Sequence, residues 1–266
     1  MDHVITSGSN QNIKRLRRLL SSSKMRREEN TYVAEGIHLV ASFLDAGRTP
    51  NGYVVAKSAI ENPEISDLLS KLDTMPAEFM VVSDELFTSL TTIHASVGIL
   101  ILFSPDQKAV VLGPLKENTV LLENIQDPGN LGTILRTAAA VGIKNIVLSD
   151  GCASPWSPKA LRAGMGAQFS LNIHEDPDIK QVISESTIPS LVTSLADDSE
   201  MLYDLDLREP VAWIFGSEGQ GVSDELAQLA TKRVTIPQAE SSVESLNVAA
   251  SVAVCLYEQY RQNSAY

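Results

Sequence analysis

Three stretches of this 266-residue chain place glycines and polar side chains at the ends of apolar runs, where they could meet a ligand. The first, DPGNLGTILRTAAAVGI at 127–143, follows VLLENI and reads as a strand turning into a helix, with Asn130 near the helix start and Arg136 six residues on. The first N–H groups of a helix have no intrahelical partner, so a glycine turn there predicts a ligand site. Arg136 has the small Gly132 and Ala140 as helical neighbours, which predicts a slot rather than a charged face. The second stretch, FGSEGQGVSDEL at 215–226, leaves the backbone bare at Gly216, Gly219 and Gly221 around Glu218, before Ser223 starts a helix. The third, IPQAESSVESLNVAAS at 236–251, carries a strand end into a polar loop and then Ser245 and Asn247 at another helix start. Each alone is ordinary turn and cap chemistry. Three in one chain predict a site.

Several chemistries are excluded by what the stretches lack. The chain has neither the dinucleotide pattern G-x-G-x-x-G with its acidic partner nor the phosphate loop G-x-x-x-x-G-K-[ST]. No G-x-S-x-G elbow occurs, and no histidine lies in the three loops to activate a serine. Cys152 and Cys255 make no ligand-spaced pair with each other or with His3, His38, His94 and His174, so neither a disulfide framework nor a metal site is expected. The longest apolar run, VGILILF at 97–103, is too short for a membrane span, and a cytoplasmic protein is expected.

The elements that must position these loops are legible as alternating strands and helices. Residues 31–103 alternate through TYVA, IHLVASFLDAG, GYVVA, EISDLLSKL, FMVVS, DELFTSL with Ser83 as its cap, and VGILILF, which predicts a small αβα layer. SPDQK at 104–108 and GPLKEN at 113–118 are turn-rich, so domains are expected at 1–108 and 109–266. Beyond the seam the alternation resumes with VLLENI, NIVLSD, a helix starting at Ser157-Pro158, FSLNI, SLVTSL, WIFGSE, RVTIP and a last helix near 246–260. Such alternation predicts an α/β fold with a mainly parallel sheet, whose ligands gather beyond the C-terminal strand ends.

Charge adds a second theme. The chain carries a net charge of −12, which opposes contact with phosphates, but residues 1–30 hold seven Lys and Arg against three Asp and Glu. That local excess of four positive charges leaves sixteen net negative charges on the rest. Ile13, Leu16, Leu19 and Leu20 fall at helical spacing between the cations, giving an amphipathic basic arm. Its candidate nucleic-acid contacts are Lys14, Arg15, Arg17, Arg18, Arg26 and Arg27.

The three stretches carry a resemblance. NIQDPGNLGTILRTAAAVG resembles the first motif of the SpoU/TrmH family of RNA ribose 2′-O-methyltransferases, FGSEGQGV its second, and IPQAESSVESLNVAASVAVCLYE its third, in the family's order and spacing. The segment from EGIHLV to VGILILF is similar to the ribosomal-protein-L30-like substrate-binding domain of many members. One departure is an apparent extra residue before Ser245, with Glu240-Ser241-Ser242 where a glycine is common. The resemblance implies a deep trefoil knot at the C-terminal end of the sheet and S-adenosylmethionine as cofactor, held by backbone groups at Gly216, Ile236 and Leu246. It implies Arg136 as the catalytic arginine, with Asn130, Glu218, Ser245 and Asn247 orienting arginine, substrate and cofactor. It also implies a homodimer formed through the last helix, and rRNA or tRNA as substrate. Two other readings stay open: an RNA-binding protein with an inactive methyltransferase fold, and an RNA base methyltransferase.

Overall fold

The computed structural model describes residues 4–91, 98–105, 113–239 and 245–264. The chain divides into two compact units, Met1–Lys108 with Trp156–Phe169, and Ala109–Pro155 with Ser170–Tyr266.

The first unit opens with strand β1 (Val4–Ile5), helix α1 (Gln11–Ser21) and helix α2 (Ser23–Glu28). Strand β2 (Tyr32–Glu35), helix α3 (Ile37–Asp45), strand β3 (Gly52–Ala56), helix α4 (Pro63–Leu72), strand β4 (Glu78–Val82), helix α5 (Asp84–Leu90) and strand β5 (Ile99–Phe103) follow. The five strands form one mixed sheet in the order β1-β4-β3-β5-β2, with β5 antiparallel to both neighbours. Serine caps start helices where the sequence places them, as where Ser83 Oγ accepts from the Leu86 N–H.

The basic N-terminal segment is no loose arm. Ile13, Leu16 and Leu19 are at most 1% exposed and pack with Val33, Val54, Val82, Leu86 and Leu100. Lys14, Arg15, Arg17, Arg18 and Arg27 stay exposed on the outside. Arg26 differs from the expectation: it is buried, and its Nη1 donates to the carbonyls of Leu19 at 2.7 Å and Leu20 at 3.3 Å. Those carbonyls lie in the last turn of α1, where a helix lacks donors and favours a cation, so this guanidinium caps the helix and is not available to RNA. Burial also lowers its pKa from the usual value. Arg26→Ala is expected to destabilise the protein by about 2 kcal/mol, the usual effect of losing charged hydrogen bonds. A melting temperature equal to that of the wild type would return Arg26 to the surface cations.

The second unit begins with strand β6 (Thr119–Leu122), helix α6 (Pro128–Ala140) and strand β7 (Asn145–Leu148). The chain then re-enters the first unit through helix α7 (Pro158–Gly164), capped by Ser157. The sequence boundary assigns this segment to the C-terminal domain, but its aromatic rings place it elsewhere. Phe169 packs edge-on against Phe43 at 5.1 Å and Phe103 at 5.3 Å, and Trp156 lies 6.1 Å from Phe103. Edge-to-face rings bury area and gain from their quadrupoles, which holds the excursion in the first unit's core. Arg48 Nε adds a 3.0 Å hydrogen bond to the Phe169 carbonyl.

Back in the second unit come strand β8 (Asn172–Glu175), helix α8 (Ile179–Ser184), strands β9 (Ser190–Thr193), β10 (Glu200–Met201) and β11 (Ala212–Phe215), helix α9 (Asp224–Leu229), strand β12 (Lys232–Thr235) and helix α10 (Val248–Asn263). The seven strands pair in the order β10-β12-β9-β11-β6-β7-β8, and every pairing is parallel. Leu131, Ile134, Leu135 and Ala138 of α6 meet Val248, Val252, Cys255 and Leu256 of α10 in the core on one side. A polar chain fixes the far end of α10: Trp213 Nε1 donates to Gln259 Oε1, and Gln259 Nε2 donates to Asn118 Oδ1, both at 2.9 Å. Among the described residues no helix is long and apolar enough to cross a membrane, and no group of three or more His, Cys, Asp or Glu could hold a metal ion.

Candidate functional site

Strands β12, β9 and β11 lie side by side, and their C-terminal ends hand over to three loops on one edge of the sheet. A cavity of about 430 Å³ opens there, lined by Thr193 at the end of β9 and Ser194 after it, by residues 216–222 after β11, by Ile236 after β12, and by Ser245 and Leu246 before α10. Its walls mix apolar side chains with loop backbone and hydroxyls, as a small organic ligand requires. The expected S-adenosylmethionine residues Gly216, Ile236 and Leu246 all line it.

The loop after β11 explains its first glycine. Ser217 and Gly221 form an antiparallel bridge, with Ser217 N–H on the Gly221 carbonyl at 3.0 Å and Gly221 N–H on the Ser217 carbonyl at 2.9 Å. The fold-back is so tight that a Cβ on Gly216 would sit 2.0 Å from the Gly221 carbonyl and 2.1 Å from the Val222 nitrogen. Gly221 itself has φ +70°, the left-handed region that favours glycine. A Cβ on Gly219 would meet only open space. This bare cradle fits a ligand that approaches the loop backbone closely.

Side-chain hydrogen bonds draw the three motif stretches together. Asn130 Nδ2 donates to Glu218 Oε1 at 2.8 Å, and Asn247 Nδ2 donates to Asn130 Oδ1 at 3.2 Å. Burial pushes the Glu218 carboxyl up, but the Asn130 amide and the backbone N–H groups of Glu218, Gln126 and Asp127 outweigh it, and the net shift is downward. Glu218 is therefore ionised at neutral pH and accepts hydrogen bonds. Asn247 also caps α10, its Oδ1 accepting from Ala249 N–H at 2.9 Å and Ala250 N–H at 3.3 Å. Ser245 lines the cavity and makes no cap.

The N-terminus of α6 differs from the ligand site that the glycine turn predicts. Asp127 Oδ1 accepts from the N–H groups of Gly129 at 2.7 Å and Asn130 at 2.9 Å, so the helix caps itself. The turn serves to hold Asn130 against Glu218. Arg136 stands apart from the cavity. Six residues put it roughly 9 Å along α6 from Asn130. It is exposed, with no hydrogen bond or ion pair to the described residues, and the expected slot is half formed: Gly132 is buried and Ala140 exposed.

Sequence reasoning passed over two contributors. Glu123 Oε2 accepts from the Ser223 N–H at 2.7 Å, which pins the far end of the Gly216 loop to the segment after β6. Thr193 and Ser194 end a strand, and strand-end position was the available signal. Residues 240–244, with the apparent insertion at Glu240-Ser241-Ser242, lie outside the described residues. Neither cysteine is a reactive thiolate: burial raises the Cys152 pKa and pushes Cys255 up to about 12.

Comparison with known proteins fits this geometry. Residues 117–257 match the SpoU rRNA Methylase family, and residues 10–100 match an MRM3-like substrate binding domain. An uncharacterized tRNA/rRNA methyltransferase of Synechocystis sp. is 36% identical over 98% of this chain and 94% of its own length. The 23S rRNA (guanosine(2553)-2′-O)-methyltransferase of Bacillus subtilis is 29% identical over 95% of this chain and 97% of its own. The crystal structure of an AdoMet-bound rRNA methyltransferase from Sinorhizobium meliloti superposes with a TM-score of 0.88 at 28% identity, covering 99% of each chain. With the second and third motif loops lining one cavity, Asn130 of the first bonded to both, and a family match across more than half its length, the chain belongs to the SpoU rRNA methylase family.

Proposed function

We propose that this protein transfers a methyl group from S-adenosylmethionine to a ribose 2′-hydroxyl of rRNA or tRNA. The observation that carries the reading is the hydrogen-bonded chain Glu218–Asn130–Asn247, which joins all three motif loops beside the cavity. An inactive relative that only bound RNA would have no use for this intact constellation. The cofactor, when bound, supplies an electrophilic methyl group on a sulfonium. Backbone groups at Gly216, Ile236 and Leu246 would hold it, and the tight fold-back at Gly216 shapes the cavity wall they belong to.

The chain's own residues do the rest. Methyl transfer is a direct displacement, so the 2′-oxygen must be held in line, an effect worth up to roughly 7–11 kcal/mol in ideal cases. Glu218 and Asn247 fix the Asn130 amide and with it the start of α6, whose later turn presents Arg136. The role assigned to Arg136 is to stabilise the developing alkoxide and to grip a substrate phosphate with its planar fork. Arg136 is exposed and α10 carries Tyr257 and Tyr260 at 51% and 38% exposure on its outer face, which supports a homodimer whose second copy completes the site. The trefoil knot between Gly216 and Asn247, and a cytoplasmic location, belong to the same reading.

The test is incubation of purified protein with isotopically labelled S-adenosylmethionine and RNA from cells lacking the gene, followed by nucleoside mass spectrometry. Label on a 2′-O-methyl nucleoside is expected. Label on a base overturns the ribose assignment, and no label with cofactor bound favours an inactive fold. Cofactor binding by calorimetry is expected to persist in excess chelator, because the described residues of the cavity lining offer no metal-ligand cluster. Binding that required a divalent ion would overturn the cofactor mode.

A further inference from the structure

A second concave site, about 410 Å³, lies in the first unit beside α1 and α2. Gln11, Asn12, Lys14, Arg15 and Arg18 of α1 line it, together with Met25 and Glu29. It brings three cations and one carboxylate together in a chain that is otherwise strongly acidic. The opposite face of α1 is locked into the core by Ile13, Leu16 and Leu19, so the groove belongs to a rigid surface.

The details distinguish it from a solvated helix face. Arg15 Nε donates to Glu29 Oε2 at 2.6 Å, while Lys14 and Arg18 make no hydrogen bond or ion pair to the described residues through their charged groups. A half-exposed pair such as Arg15–Glu29 contributes only about 0–1 kcal/mol to stability, so its main effect is orientation. It fixes one guanidinium in the groove and leaves its two Nη groups for a ligand. Guanidinium forks match phosphate oxygens, amides of Gln11 and Asn12 both donate and accept as a ribose hydroxyl requires, and a thioether adapts to a flat apolar surface.

We propose that this groove docks a phosphodiester strand of the RNA substrate, with phosphates on Lys14 and Arg18 and a sugar or base against Gln11, Asn12 and Met25. The choice of RNA as the strand rests on the methyltransferase reading above. The groove itself rests on the residues named here.

Fluorescence anisotropy of the full-length protein with a short mixed-sequence single-stranded RNA, over a series of salt concentrations, tests it. Lys14→Gln with Arg18→Gln is expected to weaken binding about tenfold or more and to flatten the log affinity against log salt slope by about 1.4, two phosphates at roughly 0.7 each. Lys24→Gln with Lys57→Gln removes the same charge from exposed positions outside the groove and is expected to change affinity less than about threefold. Melting temperature and S-adenosylmethionine titration, expected to be unchanged, guard against misfolding. Equal losses from both pairs, an unchanged slope, or absence of RNA binding by the wild type overturn the groove. Equal competition by polyaspartate makes it a protein-docking surface and overturns it as well. Wild-type protein that binds RNA through the groove but transfers no methyl group overturns the proposed function and leaves the groove standing. Methyl transfer to RNA that is indifferent to the groove variants does the reverse.

Discussion

Replacing Arg136 by alanine is expected to lower the single-turnover rate of methyl transfer about 100- to 1,000-fold, the usual cost of removing one preorganised donor from a developing oxyanion, about 2.7–4 kcal/mol. Cofactor affinity is expected to stay within about twofold, because an interaction made only in the transition state leaves ground-state binding alone. The structure supplies the reason for the split: Arg136 is exposed on α6 and does not line the cavity. Arg136→Lys keeps the charge but loses the planar fork that grips phosphate and oxygen together, and little rescue is expected. Rapid-quench transfer to RNA beside cofactor calorimetry separates the two effects. Wild-type rates from Arg136→Ala would make this arginine an ordinary surface residue.

The second large effect is expected at Gly216. An added methyl would lie 2.0 Å from the Gly221 carbonyl, so the backbone of the fold-back must move. Overpacking of this kind costs about 1–3 kcal/mol, and if the loop opens to relieve it, the cavity wall goes with it. Gly216→Ala is therefore expected to weaken S-adenosylmethionine binding about 10- to 100-fold. Gly219→Ala, three residues along the exposed loop, meets open space and is expected to change binding less than about twofold. Calorimetry on both variants, with circular dichroism as a fold check, decides the matter. Equal binding by Gly216→Ala and wild type would place the cofactor elsewhere.

Much of this architecture was legible because its signals are local. Alternating apolar runs gave strands β2 to β9 and β11 to β12 their places, and Ser83, Ser157 and Ser223 mark helix starts that the hydrogen bonds bear out. The two-residue β1 and the six-residue α8 were too short for any period to declare itself. The types of the site residues could be read, but not their bonds. Asn130 meets Glu218 across 88 positions and Asn247 across 117, and nothing in the chain near Asn130 announces either. Glu123 reaches Ser223 over 100 positions and was missed. Arg26 looks like its neighbours in a list of cations, and only the fold, by turning α2 back under the last turn of α1, makes it a cap. The place of Trp156–Phe169 was hidden for the same reason, since an aromatic cluster is a property of distant residues brought together.

That excursion shapes how the protein can be made. The N-terminal unit is not finished when residue 108 is synthesised, because Trp156 and Phe169, which complete its aromatic core, come about 60 residues later. At ordinary elongation rates of about 5–20 residues per second, the nascent chain spends roughly 3–12 s with the faces of Phe43 and Phe103 uncovered. During that interval β6, α6 and β7 emerge as well, but β11, which pairs beside β6, is still unmade. Neither unit can close before the other has begun, and the chain leaves the ribosome with its folding order interleaved rather than sequential.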